Sequence, residues 1–264
     1  MKTFFKKDGL PLEKEDHLAI ESPLEIALRI KNEETPVSLT MRTPGDDSCL
    51  ALGYLLAEGI IKSKLDIDWE NFRENKKIDK VYIPLIKTPK NLKGLERGTV
   101  MNSSCGVCGK TSLEGLDSLE VKEKISKEFS FSHNLLYGLP EKLKESQSVF
   151  KKTGGLHGAA LIDENGQLLV IKEDVGRHNA VDKLFGFCFL NNIETEGRIL
   201  LLSGRASYEL IQKAARAKNS LVASIGAPSS MAVALAKKYN MTLVGFLKDN
   251  SFNCYEGEKR ISYE

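Results

Sequence analysis

The sequence predicts an α/β protein, with a mostly parallel sheet in its second half and a smaller, mainly β portion at its start. After residue 153, apolar stretches of strand length alternate with stretches that have helical periodicity. Before residue 100, short alternating stretches are separated by turn residues. We therefore divide the 264-residue chain into a mainly β portion at 1–100, a cysteine loop and polar connector at 101–152, and an α/β core at 153–264.

The mainly β portion begins with a predicted hairpin. Apolar residues alternate with polar or small ones at 26–30 and at 37–41, and turn residues separate the two stretches. A second turn at 43–47 precedes a helix that we expect from about Ser48. A further strand is predicted at 81–83, inside a lysine-rich and otherwise irregular segment.

The α/β core also begins with a predicted hairpin, because two apolar stretches flank the tight-turn sequence Glu164-Asn165-Gly166. A helix is predicted at 179–191, with Asn179 as its N-cap and Asp182 in its first turn, near the positive end of the helix dipole. The next elements alternate as strand 199–202, helix 208–218, strand 221–225, helix 230–239 and strand 243–247. Such alternation predicts right-handed crossovers within one mostly parallel sheet.

Composition and charge exclude several classes of protein. The chain has 38 Lys and Arg against 36 Asp and Glu, and this net charge of +2 indicates no general binding to nucleic acid or to a membrane. We find no apolar run suited to a signal peptide and none long enough to cross a bilayer. Five cysteines without regular spacing argue against a disulfide framework, so we expect a cytoplasmic protein with reduced thiols.

Loops of a common character follow the predicted strands of the core. They are rich in glycine, serine and charged residues and lie at 173–179, 203–207, 226–230 and 248–251. If the strands are parallel, these loops meet at the carboxyl edge of the sheet, where open α/β sheets bind ligands. Helix starts and the guanidinium groups of Arg177 and Arg205 suit phosphate oxygens, although the same residues can serve only as turns, caps and solvated charges. No Walker A or dinucleotide fingerprint is present, so the expected phosphate-bearing ligand is not an obvious NTP or NAD.

Cys105 and Cys108 form a C-x-x-C pair flanked by glycines. One interpretation is covalent sulfur chemistry, since a thiolate is nucleophilic and local N–H groups or Lys110 can increase the thiolate fraction. A zinc site needs about four nitrogen or sulfur ligands, for which His157 and His178 are further candidates. The pair can also be purely structural. The residues alone leave these three interpretations open.

The four histidines differ in their surroundings. We expect His17 and His133 at the surface. His157 lies in a glycine-rich entry to an apolar stretch, where it can pack locally or orient a substrate. His178 stands beside Arg177 at a predicted helix start and is the better candidate for a ligand contact.

Several segments, read in chain order, are characteristic of one family. They are MRTPGD at 41–46, LAEGII at 56–61, SCGVCG at 104–109, TGGLHGAA at 153–160, EDVGRHNAVDK at 173–183, LSGRAS at 202–207, SIGAPSS at 224–230 and LVGF at 243–246. Over these segments, from about Glu21 to Ile261, the chain resembles the formate dehydrogenase accessory sulfurtransferases, the FdhD family.

The resemblance implies a cytoplasmic homodimer with a cytidine-deaminase-like α/β core. In that family a cysteine desulfurase loads sulfur onto the first cysteine of the pair, here Cys105, and Cys108 is the assisting or resolving thiol. The sulfur then passes to the molybdenum of Mo-bis(molybdopterin guanine dinucleotide), which formate dehydrogenase needs in sulfurated form. The family's cofactor-binding segment corresponds to Phe246, Leu247, Lys248, Asp249, Asn250 and Ser251. We assign the cofactor's phosphates to Arg177, His178 and Arg205.

One departure from the family pattern concerns Lys248, which lies in a loop where an arginine is expected. Lysine offers a point charge instead of a planar fork, so the phosphate contact there differs. Two other functions stay open. One is a chaperone that binds the cofactor without transferring sulfur. The other is a zinc-dependent hydrolase of the deaminase type, although the H-x-E and P-C-x-x-C pattern of those enzymes is missing.

Overall fold

The computed structural model describes residues 2–7, 10–31, 33–73, 79–89 and 129–263. The chain starts with an antiparallel hairpin of β1 (Lys2–Lys7) and β2 (Leu10–Glu15). A three-stranded sheet follows, in which β3 (Ser22–Ile30) pairs antiparallel with β4 (Glu33–Arg42) and parallel with β5 (Lys80–Leu85). The predicted hairpin and third strand are therefore confirmed.

The predicted first helix, α1 (Asp47–Ala57), connects β4 to the segment before β5. Its apolar residues pack on the inner face of the three-stranded sheet, where Leu24, Ile26 and Leu28 lie two residues apart along β3. Alternation along the strand thus places one face of β3 in a core that α1 covers.

The described part of the polar connector is more regular than the sequence predicts. After β6 (Phe131–Ser132) it forms three short helices, α2 (His133–Tyr137), α3 (Leu139–Ser146) and α4 (Phe150–Thr153). Leu136, Leu139 and Leu143 are buried at helical spacing. This narrow apolar stripe packs the charged segment against the core. The lysines around it make the helical repeat of apolar residues hard to recognise in the sequence.

A six-stranded sheet forms the core of the second half. Its strands are β7 (His157–Ile162), β8 (Leu168–Asp174), β9 (Ile199–Leu202), β10 (Leu221–Ser224), β11 (Thr242–Lys248) and β12 (Ser251–Glu256). The spatial order is β12-β11-β10-β9-β7-β8. β9, β10 and β11 are parallel, whereas β7 runs antiparallel to both β8 and β9, so β8 has the direction of the parallel strands. The antiparallel edge strand β12 is the one strand here that we did not predict.

Both faces of this sheet are covered. The helices α5 (Arg177–Asn191), α6 (Tyr208–Arg216) and α7 (Ser230–Lys238) share one apolar core with alternate strand residues such as Ala159 and Leu161. The intervening residues, such as Ala160 and Ile162, face a second core that includes the leucines of α2 and α3. Burial on both faces explains why these strands read as continuous apolar runs. Near the C-terminus, β13 (Ile261–Ser262) pairs in parallel with β6.

Two predictions about α5 are wrong in detail. The helix begins at Arg177 with Gly176 as its N-cap, so Asn179 lies inside the first turn, where its side chain donates to the carbonyl of Met41. Asp182 is not near the exposed end of the helix. It is buried and pairs with Nζ of Lys213 at 2.7 Å. In both cases a tertiary partner replaces the local capping role.

Helices α1 and α5 cross at two glycines, and this crossing joins the first half of the chain to the core. A Cβ atom added at Gly53 would lie 1.9 Å from the carbonyl oxygen of Asp182, and one added at Gly186 would lie 1.8 Å from that of Cys49. Only glycine permits such a close approach of the two helix backbones.

Candidate functional site

The predicted ligand site lies at the carboxyl edge, which we define as the end of the six-stranded sheet where β8, β9, β10 and β11 terminate. Because the four strands have one direction, the loops that follow them meet there, as expected. The antiparallel β7 contributes its first residue, His157, opposite Asp174 at the end of β8. His157 is thereby placed in the same site as the loops, although it precedes its strand.

Backbone hydrogen bonds connect these loops from one strand to the next. The N–H of Gly226 donates to the carbonyl of Gly204 at 3.2 Å, and the N–H of Phe246 donates to the carbonyl of Gly226 at 3.1 Å. A Cβ atom added at Gly226 would lie 2.9 Å from the backbone nitrogen of Arg205. The loops after β9, β10 and β11 therefore form one compact surface whose spacing depends on glycine.

Positive charge surrounds His157 on this surface. Burial is the main cause that lowers the pKa of the half-buried His157, and the guanidinium groups of Arg177 and then Arg205 lower it further, against the opposing field of Asp174. Gly204 leaves room for the ring, because an added Cβ would lie 3.2 Å from its Nδ1. Two permanent cations beside a neutral imidazole form a site suited to an anion.

Asp174 holds the loop after β8 in place. Its carboxylate is fully buried and accepts hydrogen bonds from the N–H groups of Gly176 and Thr43, at 2.9 and 3.1 Å, while Nζ of Lys183 lies 2.7 Å from Oδ2. Lys183 also donates to the carbonyl of Thr43. Sequence reasoning missed this network, although both Asp174 and Lys183 lie within the segment that suggested the family.

His178 lies behind this surface. It is buried, with Nε2 3.4 Å from Oγ of Ser207 and 3.8 Å from Oε2 of Glu209. Burial lowers the pKa of His178, partly opposed by the nearby carboxylate of Glu209, and the His178 imidazole is the main cause that lowers the pKa of Glu209 to about 2. His178 therefore contacts the start of α6, whereas the charges of Arg177 and Arg205 act on His157.

The predicted cofactor-binding segment divides into two kinds of residue. Phe246 has a positive φ of 50° at a bulge in β11, and 43% of its surface is exposed. Leu247 is buried in the core, while Lys248, Asp249, Asn250 and Ser251 form an exposed turn into β12. A bulky residue held in the left-handed region is strained, and such strain is concentrated at binding and catalytic sites.

Cys105 and Cys108 lie outside the described residues, as does Lys110. Among the described residues the cysteines that form no disulfide are Cys49, Cys188 and Cys254. Burial raises the pKa of Cys188 to about 12 and is also the main cause that raises the pKa of Cys254. These two thiols are consequently poor nucleophiles near neutral pH.

The described ranges contain no group of three or more His, Cys, Asp or Glu side chains that could hold a metal ion. Within those same ranges, no helix is long and apolar enough to span a bilayer.

Comparison with known proteins decides the family. A model described as the FdhD/NarQ family matches residues 20–262, which is most of the chain. The chain belongs to this family. The motifs around the carboxyl edge, from Thr153 to Phe246, all lie inside the matched region.

Curated relatives match over nearly their whole lengths. A sulfur carrier protein FdhD from Picrophilus torridus is 40% identical over 250 residues, covering 93% of this chain and 92% of that protein. Proteins of the same name from Streptomyces coelicolor and Sulfolobus acidocaldarius are 41% and 42% identical; each alignment covers 97% of this chain, with 93% and 95% of the respective relative.

A solved structure confirms the α/β fold. It is the crystal structure of a candidate formate dehydrogenase accessory protein from Desulfotalea psychrophila, with a TM-score of 0.76 and 23% sequence identity. The match covers 99% of this chain and 98% of that one, so the FdhD/NarQ member described here shares its complete fold.

Proposed function

We propose that this protein is a sulfur carrier required for formate dehydrogenase activity, with Cys105 as the residue that carries the sulfur. The FdhD/NarQ match and the relatives named sulfur carrier protein FdhD support a sulfur carrier role. The described cysteines are poorly suited to carry the sulfur, because Cys49 and Cys188 are buried and the pKa values of Cys188 and Cys254 are raised.

The arrangement of residues at the carboxyl edge is the observation that supports this function most. Arg177 and Arg205 lie close enough to His157 to lower its pKa, and the exposed Phe246 follows in the hydrogen-bonded series of loops. We propose that the sulfur acceptor, Mo-bis(molybdopterin guanine dinucleotide), binds here as the substrate. The arginine forks suit its phosphates, and the ring of Phe246 suits stacking on a guanine base.

The proposed chemistry has two steps at the cysteine pair. The thiolate of Cys105 attacks the terminal sulfur of a cysteine desulfurase persulfide, which leaves Cys105 as a persulfide and the desulfurase cysteine as a thiolate. The thiolate of Cys108 then attacks the inner sulfur of that persulfide, forming a Cys105–Cys108 disulfide and releasing hydrosulfide to the acceptor. Formation of the disulfide provides the two electrons that reduce the sulfur, and a cellular dithiol restores the pair.

Formate dehydrogenase is the proposed recipient of the sulfurated cofactor, and a cytoplasmic homodimer is the proposed functional unit. A cell that lacks its own FdhD-family protein provides the test, with formate dehydrogenase activity as the readout. We expect the wild-type chain and Cys254→Ala to restore activity and Cys105→Ala to restore none at equal protein level. Full activity with Cys105→Ala would reject sulfur transfer and favour the cofactor-binding chaperone.

A further inference from the structure

A cavity of about 600 Å³ lies between α1, α5 and α6, away from the carboxyl edge. It is lined by residues near the ends of these helices, including Leu56, Phe185, Phe189 and Ile193. The amino ends of α5 and α6 face the carboxyl edge, and this cavity lies toward their other ends. Its size is within the range of about 300–1,000 Å³ that is usual for small-molecule sites.

All the charged residues that line the cavity are basic, and Thr195 adds a neutral polar side chain. Lys62, Lys213, Arg216 and Lys218 line it, and none of the described residues that line it is acidic. Lys213 is neutralised by the buried Asp182. Cations at the carboxyl end of a helix also complement its dipole, so their presence alone does not require a ligand.

Arg216 provides the second observation. Its Nε is buried and has no hydrogen-bond partner among the described residues. Its guanidinium lies against Gly59, where an added Cβ would be 2.6 Å from Nη1. Burial is the main cause that lowers the pKa of Arg216, and Glu58 opposes it. Buried guanidinium nitrogens normally have an acceptor, and Nε of Arg216 has none among the described residues.

We propose that this cavity binds a small amphipathic carboxylate, with its aliphatic chain among the apolar side chains and its carboxylate on Arg216. The apolar lining excludes a small hydrophilic anion as the preferred ligand, since it would leave Phe185, Phe189 and Ile193 without a partner. The basic lining excludes an aliphatic cation. This site is separate from the proposed sulfur acceptor site and does not depend on it.

Isothermal titration calorimetry of the full-length chain with octanoate tests the proposal, with 1-octanol as the neutral analogue. We expect saturable binding of octanoate at one site and about tenfold weaker binding of octanol, because a charged hydrogen bond is lost. Arg216→Gln should remove the preference for octanoate and leave octanol binding unchanged. Lys237→Gln, an exposed cation on α7, is the matched control and should bind both as the wild type does.

A second variant tests the location of the binding site by filling the cavity. Ala217→Phe places a ring in the cavity and keeps every charge, so it should weaken both probes at least tenfold. Thermal melting establishes that each variant is folded. If Ala217→Phe does not fold, the comparison of Arg216→Gln with the wild type still tests the proposal. The proposal is overturned if octanoate shows no saturable binding to the wild type, or if Arg216→Gln binds octanoate as tightly as Lys237→Gln does.

Discussion

Nζ of Lys183 lies 2.7 Å from Oδ2 of Asp174, and both side chains are buried. The same carboxylate accepts the backbone N–H of Thr43, from the loop that precedes α1. One buried ion pair thus connects the first half of the chain to the loop that precedes Arg177 at the carboxyl edge. Removing either charge would leave the other uncompensated in a low-dielectric environment.

Asp174→Asn should therefore lower the free energy of unfolding by about 3 kcal/mol or more, since it preserves shape but leaves Lys183 buried and unpaired. Urea denaturation measures this change. The matched control is Glu34→Gln, which removes the exposed ion pairs with Arg29 and Lys80 and should cost much less, because water screens them. Equal losses in the two variants would contradict the role assigned to Asp174.

The crossing of α1 and α5 makes a second prediction. Gly186→Ala should destabilise the protein by at least about 2 kcal/mol, because the added methyl would lie 1.8 Å from the carbonyl oxygen of Cys49 and force the helices apart. This loss exceeds the gain of roughly 1 kcal/mol that alanine provides in a helix. Gly138→Ala has open space around it and should change stability by less than about 0.5 kcal/mol. Thermal melting compares the two, and a Gly186→Ala variant as stable as Gly138→Ala would refute the close crossing.

Much of this fold could be predicted from local pattern. The strands and helices from β7 to β11 follow apolar runs of unambiguous length, and their alternation predicts the common carboxyl edge. The crossing at Gly53 and Gly186 could not be predicted, because it depends on a contact between residues far apart in the chain. Asp182 was misplaced for the same reason: the partner that buries it, Lys213, lies on another helix.

Phe246 allows stability and binding to be separated. Its φ of 50° disfavours any residue with a Cβ, so Phe246→Gly should be about 1 kcal/mol more stable than Phe246→Ala, although both lack the ring. Both variants should weaken binding of GDP, the probe for the guanine dinucleotide, by about 1–3 kcal/mol through lost stacking. Denaturation and calorimetry measure the two effects.

The exposed Leu65, far from this edge in sequence, provides the control for Phe246. Leu65→Ala should leave GDP affinity unchanged. If Phe246→Ala binds GDP as tightly as Leu65→Ala does, the proposed stacking contact is wrong; if the alanine and glycine variants are equally stable, the strain is absent.

His157 should report the charge of the site directly. Its pKa should lie below 6.5, and removal of either guanidinium, in Arg177→Gln or Arg205→Gln, should raise it. Because unfolded histidine binds its proton more readily, the titration of His157 should lower stability as the pH falls from 6.5 through its folded-state pKa. NMR titration of the imidazole measures the shift, with Arg198→Gln as a distant control. If the pKa of His157 is the same in both arginine variants as in the wild type, the proposed arrangement of the site is wrong.

The candidate site was predictable in outline. Arg177, Arg205 and the segment from Phe246 follow strands whose direction could be inferred, so their convergence could be expected. The strain at Phe246 and the buried support from Asp174 could not, since a positive φ and an interior ion pair leave no periodic signal in a sequence. The assignment of His178 to the cofactor's phosphates stays a prediction; the sequence could not show its burial against the start of α6, because neighbouring side chains on a helix point about 100° apart.

Mass spectrometry of the full-length chain after incubation with a cysteine desulfurase and cysteine tests sulfur carriage most directly. We predict one cyanide-labile sulfur atom on the peptide that contains Cys105, and none there in Cys105→Ala. An unmodified Cys105 beside a sulfur-bearing Cys49, Cys188 or Cys254 would contradict the proposed function.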